Sequence, residues 1–111
     1  MILIINVCKE KLHEAEFVKP VEEIMKKAGQ PFFTRKYDNL FEEDFNEADK
    51  IIICGTALKD FDYLDNLQKF NWIKDCKKPI LGICAGMQII GEVFGCEMID
   101  RETIGQNEVK I

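Results

Sequence analysis

The chain has 111 residues, 47% of them hydrophobic, and a formal net charge of −5 at pH 7. That length supplies one domain with a sizeable core and not two. Its acidic and basic residues are interspersed, which argues against nucleic acid as a partner, and no apolar stretch reaches the roughly 18 residues of a membrane-spanning helix.

Ile2-Leu3-Ile4-Ile5-Asn6-Val7 is a continuous apolar run rich in β-branched residues. It predicts a strand buried on both faces, as in a parallel sheet. The N-terminus lacks the basic region and small-residue cleavage site of a signal peptide, so it reads as a first strand. From about His13 to Ala28, the apolar residues Ala15, Val18, Val21, Ile24, Met25 and Ala28 recur at three- and four-residue steps. This predicts one amphipathic helix, with a late start or kink at Pro20 and a C-cap at Gly29. His13, the one histidine, falls between the first strand and this helix.

Residues 31–37 predict a short second strand carrying Phe32 and Phe33. Residues 38–44 are acidic and turn-like. Ile51-Ile52-Ile53-Cys54 predicts a third buried strand, followed by the loop 55–60. Residues 63–76 predict a helix whose stripe of Leu64, Leu67, Phe70, Trp72 and Ile73 reads as core. Residues 79–83 predict the fourth strand. Residues 85–94 predict a helix closed by Gly95. Residues 96–99 read as a short strand or loop, and 103–111 as the start of another strand. Alternating strands and helices of this kind predict an α/β fold. Its form is an open, mostly parallel sheet with helices on both faces, Rossmann- or flavodoxin-like, in a single domain over residues 1–111.

The five cysteines are Cys8, Cys54, Cys76, Cys84 and Cys96. No C-x-x-C pair occurs, which disfavours zinc and thioredoxin-like chemistry. Neither a metal ion nor a cofactor is expected, and a reduced, cytoplasmic setting fits best. Cys8 and Cys54 read as buried apolar fillers. Cys8, Gly55 and Cys84 all fall at the carboxyl ends of strands, where open α/β sheets bind ligands.

Gly82-Ile83-Cys84-Ala85-Gly86-Met87-Gln88 follows the fourth strand directly and carries the chemistry. A cysteine between glycines at a strand-to-helix turn is the cysteine form of a nucleophile elbow. Small neighbours relieve crowding at the turn. The sulfur sits at a helix N-terminus, where the dipole and free N–H groups favour the reactive thiolate.

This stretch resembles the G-x-C-x-G-x-Q motif of class I glutamine amidotransferases through Gly82, Cys84, Gly86 and Gln88. Residues 47–56 are similar to that family's third strand and glycine loop. The family usually carries two glycines and a proline there, where this chain has Gly55, Thr56 and Ala57. A β-branched Thr56 disfavours φ > 0, which such a loop can require. The resemblance covers essentially the whole chain but only about the first half of a family domain. The family completes its site with a His-x-Glu pair that is not present here.

The resemblance implies that Cys84 attacks the side-chain amide of glutamine to give a glutamyl thioester, with ammonia passed to a synthetase domain or partner. Backbone N–H groups of Ala85 and of the Gly55-Thr56 loop would form the oxyanion hole, each donor worth about 2.7–4 kcal/mol. Gln88 would contact the bound glutamine, and Gly82 and Gly86 would shape the elbow. A cysteine mechanism also needs a base, so this stretch alone is expected to be nearly inactive, its base lying in a C-terminal part or partner. The alternative is a non-catalytic binding or regulatory module of the same ancestry. A third possibility, the cysteine-elbow family of small proteases, chaperones and redox sensors, ranks lower because that elbow lacks a residue like Gln88. A complete chain of this length would expose a sheet edge, which predicts a homo-oligomer.

Overall fold

Four parallel strands lie in the order β2-β1-β3-β4 in the computed structural model, which describes residues 1–95. β1 (Ile2–Asn6) pairs with β2 (Phe32–Lys36) on one side, Leu3 opposite Phe33. On its other side it pairs with β3 (Lys50–Ile53), Leu3 opposite Ile51. β4 (Ile80–Gly82) extends the sheet, with Ile53 opposite Gly82. The expected open parallel sheet is therefore present.

Alternation along the strands divides the core between two faces. Leu3, Ile5, Val7, Ile51 and Ile53 pack with Tyr63, Phe70, Ile73, Ala85 and Ile89 on one side. Ile4, Cys8, Ile52 and Cys54 pack with Val18 and Val21 on the other. Helical segments thus cover both faces, which is why the strands read as unbroken apolar runs.

The structure departs from the sequence reading in three places. The first predicted helix is two helices, α1 (Lys11–Phe17) and α2 (Lys19–Lys27), broken at Val18. Pro20 stands in the first turn of α2, where its missing N–H costs nothing. His13 therefore lies within α1 and not ahead of it. The end of α2 matches expectation: Gly29 has φ +68°, Gln30 N–H donates to Met25 O at 2.9 Å, and Gly29 N–H to Lys26 O at 3.1 Å. This is a Schellman cap.

The acidic stretch expected to be a turn contains the start of α3 (Glu42–Glu47). Asp44 caps it by accepting from Phe41 N–H at 2.9 Å. Lys78 Nζ donates to the carbonyls of Phe45 and Ala48 at its other end.

The second predicted helix is a 3-10 segment, Asp62–Asp75, kinked at Asn66. Asn66 Nδ2 donates to Asp62 O at 2.9 Å, occupying the carbonyl that its own N–H would use in an α-helix. Leu67, Phe70 and Ile73 then share a face at three-residue spacing, as a 3-10 helix requires. Leu64 is correspondingly exposed and not core. The last helix, α4 (Ala85–Val93), follows β4 directly. The expectations for residues 96–111 lie outside the described residues.

Candidate functional site

β4 is short because the chain must leave the sheet at once. Ile83 N–H donates to Ile53 O at 2.9 Å, and the next residue, Cys84, turns with φ 50° and ψ −108°. Cys84 is the only non-glycine residue with positive φ among the described residues. Such a conformation costs an L-residue about 1–3 kcal/mol and persists only where the surroundings impose it. Cys84 O then accepts from Met87 N–H at 2.9 Å and from Gln88 N–H at 3.2 Å, opening α4. The side chain is exposed at the N-cap of that helix.

The flanking glycines are sterically fixed. A Cβ on Gly86 would lie 2.2 Å from Ile53 O. On Gly82 it would lie 2.6 Å from both Gly86 C and Met87 N. The obstacles are backbone atoms, so no rotamer change relieves them. α4 packs this closely on β3 and β4 because neither glycine carries a side chain.

The loop after β3 closes on this turn. Cys54 N–H donates to Ile5 O at 3.0 Å, holding the loop's origin on the sheet. A Cβ on Gly55 would lie 3.0 Å from Cys84 Cβ, 3.2 Å from Ile83 O and 3.7 Å from Ala85 N. Gly55, Cys84 and Ala85 therefore converge; Gly55 and Cys84 are two of the three residues that the sequence placed together at strand ends, the third being Cys8. Neither Gly55 nor Thr56 has positive φ, so the β-branched Thr56 fits this loop without strain. Its hydroxyl is buried without a nitrogen or oxygen partner and lies beside the Cys8 thiol.

A cavity of about 510 Å³ opens over Cys84, bounded also by Thr56, Ala57, Tyr63, Ala85 and Gln88. That volume suits a small ligand. Gln88 is half-buried, and its Oε1 lies 3.5 Å from the Tyr63 hydroxyl. Leu58, Phe61, Leu64 and Met87 give the rim an apolar character. Tyr63 was not singled out from the sequence as a site residue, since a tyrosine at the start of an apolar stripe carries no local mark of a cavity wall.

The other two strand-end cysteines behave as fillers. Cys8 and Cys54 are fully buried. Burial pushes the Cys8 thiol up, and Cys54 is pushed up to about 12, mainly by burial and then by the neighbouring Cys8 and Glu22. Both remain protonated and unreactive at neutral pH. His13 does not line the Cys84 cavity; its Nδ1 lies 2.8 Å from Asp60 Oδ2.

Comparison with known proteins agrees with this geometry. The family pattern "Glutamine amidotransferase class-I" matches residues 13–111. The chain is 37% identical over 65 residues to imidazole glycerol phosphate synthase subunit HisH 2 of Campylobacter jejuni, covering 56% of this chain and 32% of that protein. It is 44% identical over 46 residues to subunit HisH of Escherichia coli K12, covering 40% of this chain and 24% of that one. The chain thus matches less than a third of the length of these curated relatives. The fold is also that of a protein assigned as a GMP synthase component from Thermoplasma acidophilum, with TM-score 0.66 at 23% identity over 86% of this chain and 45% of that one. With the match running over nearly all of its length, the chain belongs to the class I glutamine amidotransferase family.

Proposed function

We propose that Cys84 is the nucleophile of a glutamine-hydrolysing site. The observation that carries this is the strained turn that presents an exposed cysteine to a cavity at a helix N-terminus. In this reading Cys84 Sγ attacks the amide carbon of glutamine. The electron pair moves to the amide oxygen, which Ala85 N–H and the Gly55-Thr56 backbone stabilise as it becomes negative. The C–N bond then breaks, the nitrogen takes a proton, and ammonia leaves a glutamyl thioester. Water attacks the thioester and releases glutamate. Gln88 contacts the bound glutamine, and Gly82 and Gly86 hold the turn.

The proton transfers need a base. His13 does not line the Cys84 cavity, so in this reading the base comes from a C-terminal part or partner bearing a His-x-Glu pair. The named relatives are synthase subunits, which supports delivery of ammonia to a synthase partner. That no histidine lines the cavity among the described residues also favours a second reading, a non-catalytic binding or regulatory module.

Labelling of the chain with a glutamine-shaped chloroketone, mapped by mass spectrometry, tests the site. Cys84 is expected to label selectively, and L-glutamine to protect it where D-glutamine does not. Unselective labelling, or no protection, would remove the glutamine site. With protection established, ammonia release by the chain plus a His-x-Glu-bearing partner separates the catalytic reading from the binding one.

A further inference from the structure

Thr56, Ala57, Leu58 and Phe61 form one wall of the Cys84 cavity, and all belong to the loop after β3. Asp60 sits in that loop yet is only 4% exposed, an unusual place for a carboxylate. Its partners explain the burial. Lys9 N–H reaches Oδ1 at 3.0 Å and Oδ2 at 2.8 Å, and Glu10 N–H reaches Oδ2 at 3.0 Å. His13 Nδ1 lies 2.8 Å from the same Oδ2. Asp60 N–H in turn donates to Ala57 O at 2.9 Å, tying the anchored residue to the cavity wall. Burial alone would push this carboxyl up, but the Glu10 N–H, the His13 ring and the Lys9 N–H outweigh it and hold the group below the ordinary carboxylate range. A buried charge with this many donors is a fixed point.

We propose that Asp60 is a positioning residue, which clamps the 55–61 loop to the start of α1 and so sets the shape of the cavity over Cys84. Asp60 does not line that cavity and acts through Ala57 and Phe61. The inference rests on the amidotransferase reading only for the reaction the cavity serves. A clamp of this kind matters because a loop displaced by a fraction of an ångström loses donor alignment while the fold survives.

The test compares the full chain with its Asp60→Asn and His13→Gln variants through two measurements. The first is amide hydrogen exchange. Exchange across residues 55–61 is expected to rise about tenfold in Asp60→Asn and less in His13→Gln, with α4 amides unchanged. The second is the Cys84 labelling rate with the glutamine-shaped chloroketone divided by that with iodoacetamide. This ratio is expected to fall about tenfold in Asp60→Asn while the iodoacetamide rate stays within about twofold.

Unchanged loop exchange in the folded variants overturns the clamp. So does faster exchange that spreads equally into α4, the signature of general destabilisation. Faster loop exchange with an unchanged labelling ratio overturns the link to the cavity. Should Asp60→Asn fail to fold, His13→Gln decides by the same criteria. Should the unmodified chain show no preference for the chloroketone, the catalytic reading falls, and loop exchange still decides the clamp.

Discussion

The two walls of the Cys84 cavity are held by different physics. The turn over residues 82–86 is fixed by backbone contact. Gly82 and Gly86 have no room for a Cβ, and Cys84 is forced to φ 50°. The loop over residues 55–61 contains no positive φ; the Cys8 thiol donates to Gly55 O at its start, and the rest is held by the Asp60 carboxylate, whose partners lie 47 to 51 residues away. A wall made by sterics has almost no freedom. A wall made by side-chain hydrogen bonds can open without unfolding the sheet.

The largest expected effect comes from the turn. Gly86→Ala places a methyl against Ile53 O and is expected to cost about 3 kcal/mol or more, read by urea unfolding. Gly55→Ala meets Cys84 Cβ at 3.0 Å and Ile83 O at 3.2 Å, contacts that small shifts relieve, so about 1–2 kcal/mol is expected. Equal losses for the two variants would break the comparison, because the loop would then be as rigid as the turn.

Strain at Cys84 gives an effect of opposite sign. Cys84→Gly relieves the positive φ but adds freedom to the unfolded chain. A net gain of about 1 kcal/mol is expected, together with loss of chloroketone labelling. A loss of stability instead would mean that the Cys84 side chain contributes packing that outweighs its backbone strain.

The difference between the walls also explains what the sequence revealed. Both glycines of the turn, the cysteine and the strand before them are neighbours in the chain, so sterics wrote a local pattern around residues 79–88. The strands were equally legible, because burial on both faces leaves continuous runs such as Ile51-Ile52-Ile53. The 3-10 segment was not, because its period depends on Asn66 taking the Asp62 carbonyl, a choice that an apolar stripe does not encode. α3 was hidden because its stability comes from Asp44 at one end and the distant Lys78 at the other. The Asp60 clamp left no trace, since a lone aspartate in a loop is ordinary in sequence and becomes meaningful only beside His13.

The smallest and most local effect is on pH. The Asp60 carboxyl, opposed by burial but held down by the Glu10 and Lys9 N–H groups and His13, ionises below its unfolded value of about 3.9. A carboxyl with a depressed folded pKa adds stability that is complete above the unfolded value and is lost as the pH falls through the folded one. Acid should therefore release the 55–61 loop, while the turn at Cys84, which contains no titrating hold of this kind, stays closed. Hydrogen exchange at a series of acidic pH values, corrected for intrinsic rates, is expected to show loop amides losing protection before those of α4. Asp60→Asn, which cannot titrate, should start from the lower protection and show no such step. Loss of protection in both walls at one pH would mean that acid unfolds the domain as a unit, and that the loop has no independent freedom for Asp60 to restrain.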